Sequence, residues 1–184
     1  MPSQTWLDAN DIDYNYLKPN AFRLVLHNMP KVSYFCQTAN LPGIQLDSAT
    51  QPTPFYQVPH SGTEALHDDL HITFLVDAHL RNFGELYNWI KSIGMPEDNQ
   101  QFIDWKYANV NKSLTKRTDE SGIECDATLH VLTAKGNPSI LVELKGVWPS
   151  QLSSLDFDAA ITDPGAFTAM ASFKFTSYTI SITD

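Results

Sequence analysis

The densest group of chemically capable side chains in this chain is His67-Asp68-Asp69-Leu70-His71, two imidazoles bracketing two carboxylates. Such residues bind metals or move protons, so their spacing decides what they can do. In a strand, positions 67, 69 and 71 share a face, yet His67 and His71 then sit too far apart to close on one ion, and no nearby ligand completes a shell. A turn leading into a strand accounts for the segment better. His27, His60, His79 and His130 are isolated in sequence and read as surface or structural residues. No Gly-x-Ser-x-Gly elbow surrounds any serine, and neither a phosphate-cradling glycine loop nor a dinucleotide fingerprint occurs. Cys36 follows Tyr34 and Phe35 in an apolar run and reads as a buried, inert thiol, and Cys125 lies far from it with no Cys-x-x-Cys spacing. The expectation is a non-enzymatic protein that folds without a cofactor or a metal.

Composition narrows the partners. The chain has 184 residues, 42% hydrophobic, 18% charged and 11% aromatic, the range of one globular domain with a single core. Its 21 acidic against 12 basic residues give a formal charge of -9. That balance disfavours nonspecific nucleic-acid binding, which needs a basic footprint. The first residues lack the basic start and apolar core of a signal peptide, so synthesis in a reducing cytoplasm is expected. No run approaches the roughly 20 apolar residues that span a bilayer.

The elements that must position any site are mostly strands. Residues 1–20 mix Asp8, Asp11 and Asp13 with Trp6, Tyr14 and Tyr16, without a period, and read as an N-terminal arm. From residue 21 to 184 the pattern is that of one β domain. Phe22, Leu24 and Leu26 alternate, Asn28-Met29-Pro30 reads as a turn, and Val32 to Leu41 forms a second run, together a candidate hairpin. An arm over residues 43–66 carries Pro52, Pro54, Pro59 and Gly62, too many breakers for an ordinary connection. Its tip residues Phe55, Tyr56 and Val58 either dock on a neighbouring subunit or fold back over the core. Leu70, Ile72, Phe74 and Val76 share one strand face. The one expected helix covers about 82–94, capped by Asn82 with Glu85 three residues on, with a stripe of Phe83, Leu86, Tyr87, Ile90 and Ile93, and stopped by Gly94 and Pro96.

A polar loop over 97–122 holds Lys106, Lys112, Lys116 and Arg117 with no acidic residue between Trp105 and Thr118. It is either a solvated loop or a contact for an acidic surface of another copy. Ala127, Leu129 and Val131 alternate next, and strands follow near Ile140 to Leu144, Ser154 to Phe157 and Ala169 to Ile182. In the last, Phe173 and Phe175 fall on one phase and Tyr178, Ile180 and Ile182 on the other, which places a bulge near Thr176 or Ser177. One short helix cannot support parallel crossovers, so the class is mainly β (α+β), antiparallel, with one helix on a side.

The junction Leu144-Lys145-Gly146-Val147-Trp148-Pro149 is unusual. Gly146 permits a bend or bulge, Pro149 cannot donate a further ladder bond, and Trp148 is available to anchor the corner. With this junction in place, the chain resembles the tail-tube family of contractile-tailed, T4-like bacteriophages. Lys18-Pro19-Asn20-Ala21-Phe22 is similar to the family's Pro-Asn-x-Phe entry to its first strand. Phe35-Cys36-Gln37-Thr38-Ala39-Asn40-Leu41-Pro42-Gly43-Ile44 is similar to its strand ending in Leu-Pro before a long arm. Asp68-Asp69-Leu70-His71-Ile72-Thr73 resembles its Asp-Asp start of a central strand. The helix with Trp89, the Lys145 to Pro149 junction and an apolar terminal strand follow in the same order over about 160 residues. The proline-rich arm and the acidic N-terminal segment depart from the pattern.

The resemblance implies a β-sandwich or barrel-like subunit with a flanking helix, six copies closing into a ring, and rings stacked into a hollow tube inside a contractile sheath. It implies the sheath, baseplate and tail-terminator proteins as partners, a tape-measure protein in the lumen, and DNA passing through without specific binding. Assembly in the host cytoplasm and residence in the virion tail follow from it. A baseplate tube initiator, or the needle tube of a phage-related injection machine, shares that architecture. A monomeric β-sandwich binding module gripping a carbohydrate or peptide with Tyr56, Trp105 and Tyr107 is the reading of a different class.

Overall fold

The computed structural model describes residues 19–27, 29–94, 99–100, 103–104, 124–132, 138–160 and 165–182. In chain order the elements are β1 (Phe22–Leu26), α1 (Pro30–Tyr34), β2 (Cys36–Ala39), β3 (Ile44–Pro52), β4 (Gln57–His67), β5 (Leu70–Leu75), α2 (Arg81–Gly94), β6 (Cys125–Leu132), β7 (Pro138–Leu152), β8 (Thr168–Lys174) and β9 (Ser177–Ile182). The class is mainly antiparallel β. Seven strands run in the order β1-β6-β7-β8-β5-β2 with β9 also on β7, while β3 and β4 form a separate ribbon.

Strand β7 organises the body. Its first part lies between β6 and β9, and its last residues pair with β8. Strands β8 and β9 follow one another along β7, in one register from Ile140 to Pro149, with Trp148 opposite Lys174 and Lys145 opposite Ser177. Alternation explains how the long strand serves one core. Val142 and Leu144 are buried, then Val147 and Pro149, so the inward phase slips by one residue across Gly146. Against β6 the same step is a register shift between Cys125 and Ala127. Phe173 and Tyr178 show the matching slip on the neighbouring line, with Phe175 and Thr176 left between β8 and β9. The expected bulge near Thr176 or Ser177 is thus a break between two strands, paired with the bulge at Gly146 so that both bend together.

Gly146 has φ +65, and a Cβ there lies 2.6 Å from Thr176 Oγ1 and 2.8 Å from Glu124 Oε2. Gly146→Ala meets both the left-handed penalty of about 1–2 kcal/mol and these contacts. It is expected to lower Tm by roughly 2–4 °C per kcal/mol lost, read by calorimetry; an unchanged Tm contradicts the bend. At Pro149 the β7–β8 register shifts before Gln151, as expected for a residue with no N–H.

Among the described residues one apolar cluster packs the seven-stranded sheet against α2: Leu24, Leu26, Leu70, Ile72, Phe74, Leu129, Val142, Leu144, Val147, Phe173, Leu86 and Trp89 are among its members. The tryptophan at its centre is Trp89, fully buried with its ring 6.2 Å from Phe173. Trp148 is only half-buried, on the opposite phase from Val147 and Pro149, so it does not anchor the corner.

Several expected elements differ. β1 and β2 do not form a hairpin: β1 pairs with β6 and β2 with β5, at opposite ends of the strand order. Between them Pro30 starts a helical turn, where its fixed φ and missing N–H suit the first position, so Val32 to Tyr34 are helical. Ser33 Oγ accepts from Leu26 N at 2.7 Å and donates to Met29 O at 3.1 Å, tying that turn to β1. Lys31 pairs with Glu85, linking α1 to α2. Residues 153–158 are not a strand; Ser153 N donates to Met170 O and Leu155 packs on the core.

Asn82 is not the helix cap. It lies inside α2, fully buried, where its Oδ1 accepts from Asp77 N at 3.1 Å and Phe83 N at 2.9 Å and its Nδ2 donates to Leu75 O at 2.7 Å. The inward line of α2 is Asn82, Leu86, Trp89 and Ser92, while Tyr87 points outward. Asn82→Ala leaves those backbone groups unpaired in the core. It is expected to destabilise by about 2 kcal/mol, measured by urea unfolding; a loss below 0.5 kcal/mol, within the range of neutral surface changes, contradicts the assignment.

Candidate assembly surfaces

The breaker-rich segment is a regular antiparallel ribbon. β3 and β4 pair from Ile44 opposite His67 out to Pro52 opposite Gln57. Prolines fit because both strands of a two-stranded ribbon are edges, where a missing N–H need not break a ladder. A register shift separates Leu46 and Ser48, and there Gly62 passes so close to Asp47 that an added Cβ lies 2.5 Å from its carbonyl oxygen. The turn is closed by Thr53, whose N–H donates to Tyr56 O at 3.1 Å and whose hydroxyl accepts from Tyr56 N at 3.2 Å.

No residue of the ribbon is buried. At its tip Phe55 is 92% and Tyr56 69% exposed, and Val58 sits half-buried at the start of β4. The ribbon therefore does not fold back over the core. Its root is fixed: the His67 ring lies 5.5 Å from Phe175 and 5.3 Å from Tyr178, Tyr178 OH donates to Pro42 O, and Asp68 N donates to Gly43 O at 3.0 Å.

Of the other expected contacts, Lys106, Lys112, Lys116 and Arg117 lie outside the described residues. Gly146, Trp148 and Pro149 belong to the bend in β7, a structural junction well separated in sequence from the ribbon tip. The His67 to His71 segment splits as the turn reading requires. His67 packs in the aromatic group at the root, and His71 sits on β5 with Nδ1 2.9 Å from Ser172 Oγ. Among the described residues no group of three His, Cys, Asp or Glu is placed to hold a metal ion, and no helix is long and apolar enough to cross a membrane. The Cys36 thiol is pushed up to about 11, chiefly by burial and against a smaller lowering by the Thr38 backbone, so little reactive thiolate forms near neutrality.

Two further surfaces are exposed among the described residues. Among the described residues strand β9 pairs only with β7, and its Ile180 and Ile182, on the same face as Val142 and Ile140 opposite them, remain 49% and 73% exposed. Phe157 and Phe167 pair with ring centroids 5.0 Å apart and are both exposed. Alternation does signal the first, but not that the core stops short of it. The second joins residues from irregular segments, where no period exists to be read.

These surfaces meet a fold already known from larger machines. The baseplate of the anti-feeding prophage contains a chain similar at TM-score 0.57 and 8% identity, covering 92% of this chain and 97% of that one. The tube-terminating cap of the same particle contains one at 0.54 and 15%, covering 96% and 99%. The extended sheath–tube complex of an extracellular contractile injection system, PVC, contains one at 0.53 and 13%, covering 99% and 100%. At these identities the likeness is one of fold. No curated protein sequence matches the chain. A family model described as phage tail tube protein matches residues 14–181, nearly the whole length. The chain belongs to the phage tail tube protein family.

Proposed function

We propose that this protein is the main tail-tube subunit of a contractile tail, a structural part without catalytic activity, in which six copies close a ring and stacked rings form the conduit for DNA ejection. The carrying observation is the ribbon of β3 and β4. A two-stranded ribbon is at best marginally stable in water by itself, yet this one holds nine- and eleven-residue strands with none of its residues buried. A neighbouring copy that covers it, with Phe55, Tyr56 and Val58 as contacts, supplies the missing burial. The edge that β9 leaves open among the described residues supports the same reading, since joining sheets between copies removes exposed edges.

In this reading residues 21–184 act as one tube domain and residues 1–20 as an N-terminal arm. Lys106, Lys112, Lys116 and Arg117 contact acidic surfaces of other copies. The sheath surrounds the tube, baseplate and terminator proteins bound its ends, and a tape-measure protein fills it before DNA does. The acidic excess keeps phosphate from being gripped, so the genome slides. Light scattering on the purified chain tests the reading. The expected mass of the smallest assembly is about six times the 20.7 kDa of the chain; a monomer at every concentration contradicts it and favours a binding module.

A further inference from the structure

The exposed pair Phe157 and Phe167 belongs to a stretch of sequence, residues 151–167, that carries acidic side chains and no basic one. Asp156 and Asp158 flank Phe157 and both are exposed, and residues 151–167 include no lysine or arginine. The Asp158 carboxylate accepts from Ala160 N at 2.8 Å, which holds the local turn and leaves its remaining lone pairs outward. Two exposed aromatic rings, one of them flanked by carboxylates, suit a cationic and aromatic partner: guanidinium or ammonium groups gain from the ring faces and from the acids together.

Resting on the tube-assembly reading, we propose that the Phe157–Phe167 pair is the docking surface for the basic segment 105–118 of a neighbouring copy. Charge complementarity selects that occupant within the chain. The segment carries four of the twelve basic residues, no acid, and the aromatic Trp105 and Tyr107. The ribbon of β3 and β4, the other candidate, carries Asp47 and Glu64 with no lysine or arginine, so two like-charged surfaces meet if it docks here. The two contacts are then separate: the ribbon brings apolar tips to one surface of the neighbour, and the basic segment brings cations to another.

The test replaces Phe157 with the photo-crosslinker p-benzoylphenylalanine in the full chain, assembled as a mixture of light and heavy isotope-labelled copies. The isotope pattern separates crosslinks between copies from those within one. The expected result is a crosslink between copies mapping to residues 105–118. In parallel, Asp156→Lys is expected to raise the critical concentration for assembly about tenfold, and Lys112→Glu with Lys116→Glu, combined with it, to restore assembly. Tubes or rings that form with crosslinks to residues 44–67, with crosslinks only within a copy, or with none overturn the docking assignment and leave the tube reading standing. Failure of the unmodified chain to assemble at any concentration overturns both.

Discussion

Replacing Phe55 and Tyr56 together by aspartate is expected to abolish assembly while leaving the subunit folded. Both side chains lie at the turn of a ribbon that has no buried residue, so neither contributes to the core. The Tm of the dilute double variant should stay within about 2 °C of the parent, consistent with surface substitutions that touch nothing. Assembly is different, because burying each aromatic against a neighbour is worth about 1.5–3 kcal/mol. Two such losses at every contact, with carboxylates now desolvated as well, shift the critical concentration by a hundredfold or more. Sedimentation velocity against concentration reads this directly. Assembly at the parental concentration means that the tips touch nothing; a large fall in Tm means that they serve the subunit instead.

Trp89→Ala gives the largest expected loss of subunit stability. Trp89 is fully buried in the cluster that joins α2 to β8, and removing so large a side chain costs about 3–5 kcal/mol once the cavity is counted. Against a typical total of about 5–15 kcal/mol the variant is near the edge of folding. At roughly 2–4 °C per kcal/mol its Tm falls by roughly 10 °C. Trp148→Ala is the matched control. Half-buried on the opposite phase of β7, Trp148 should cost less than half as much on chemical unfolding. Equal losses for the two contradict the placement of Trp89 as the anchor.

What could be read in the residues follows from where alternation and burial agree. Leu70, Ile72 and Phe74, Leu24 and Leu26, and Ala127 and Leu129 alternate and are buried, so β5, β1 and β6 were legible. Gly146 marked the bend in β7, and a phase slip marked the break before β9, because a bulge leaves a one-residue trace in the pattern. Pairing partners were not legible: β1 and β2 adjoin in sequence but sit at opposite ends of the strand order, and nothing local states that. A helical turn at Pro30–Tyr34 is too short to show a period.

Asn82 illustrates a second limit. The residue type that caps a helix also satisfies a buried turn, and only the three-dimensional path of Leu75 to Phe83 distinguishes the two roles. Among the candidate surfaces, Phe55 and Tyr56 stood out in the sequence because prolines and glycines set them apart. Their density suggested an extended arm rather than a paired ribbon, whereas a ribbon made only of edges accepts prolines in its pairing. Phe157 and Phe167 come together across irregular chain, and no spacing rule finds such a pair.

On the proposed function, this chain builds a hollow tube through contacts that its isolated subunit leaves unsatisfied. Electron microscopy of the purified protein across a concentration series tests it most directly. Six-fold rings and stacked hollow tubes are expected, with density of the β3–β4 ribbon lying on an adjacent copy. Uniform single subunits at the highest concentration, with the ribbon free of any neighbour, contradict it.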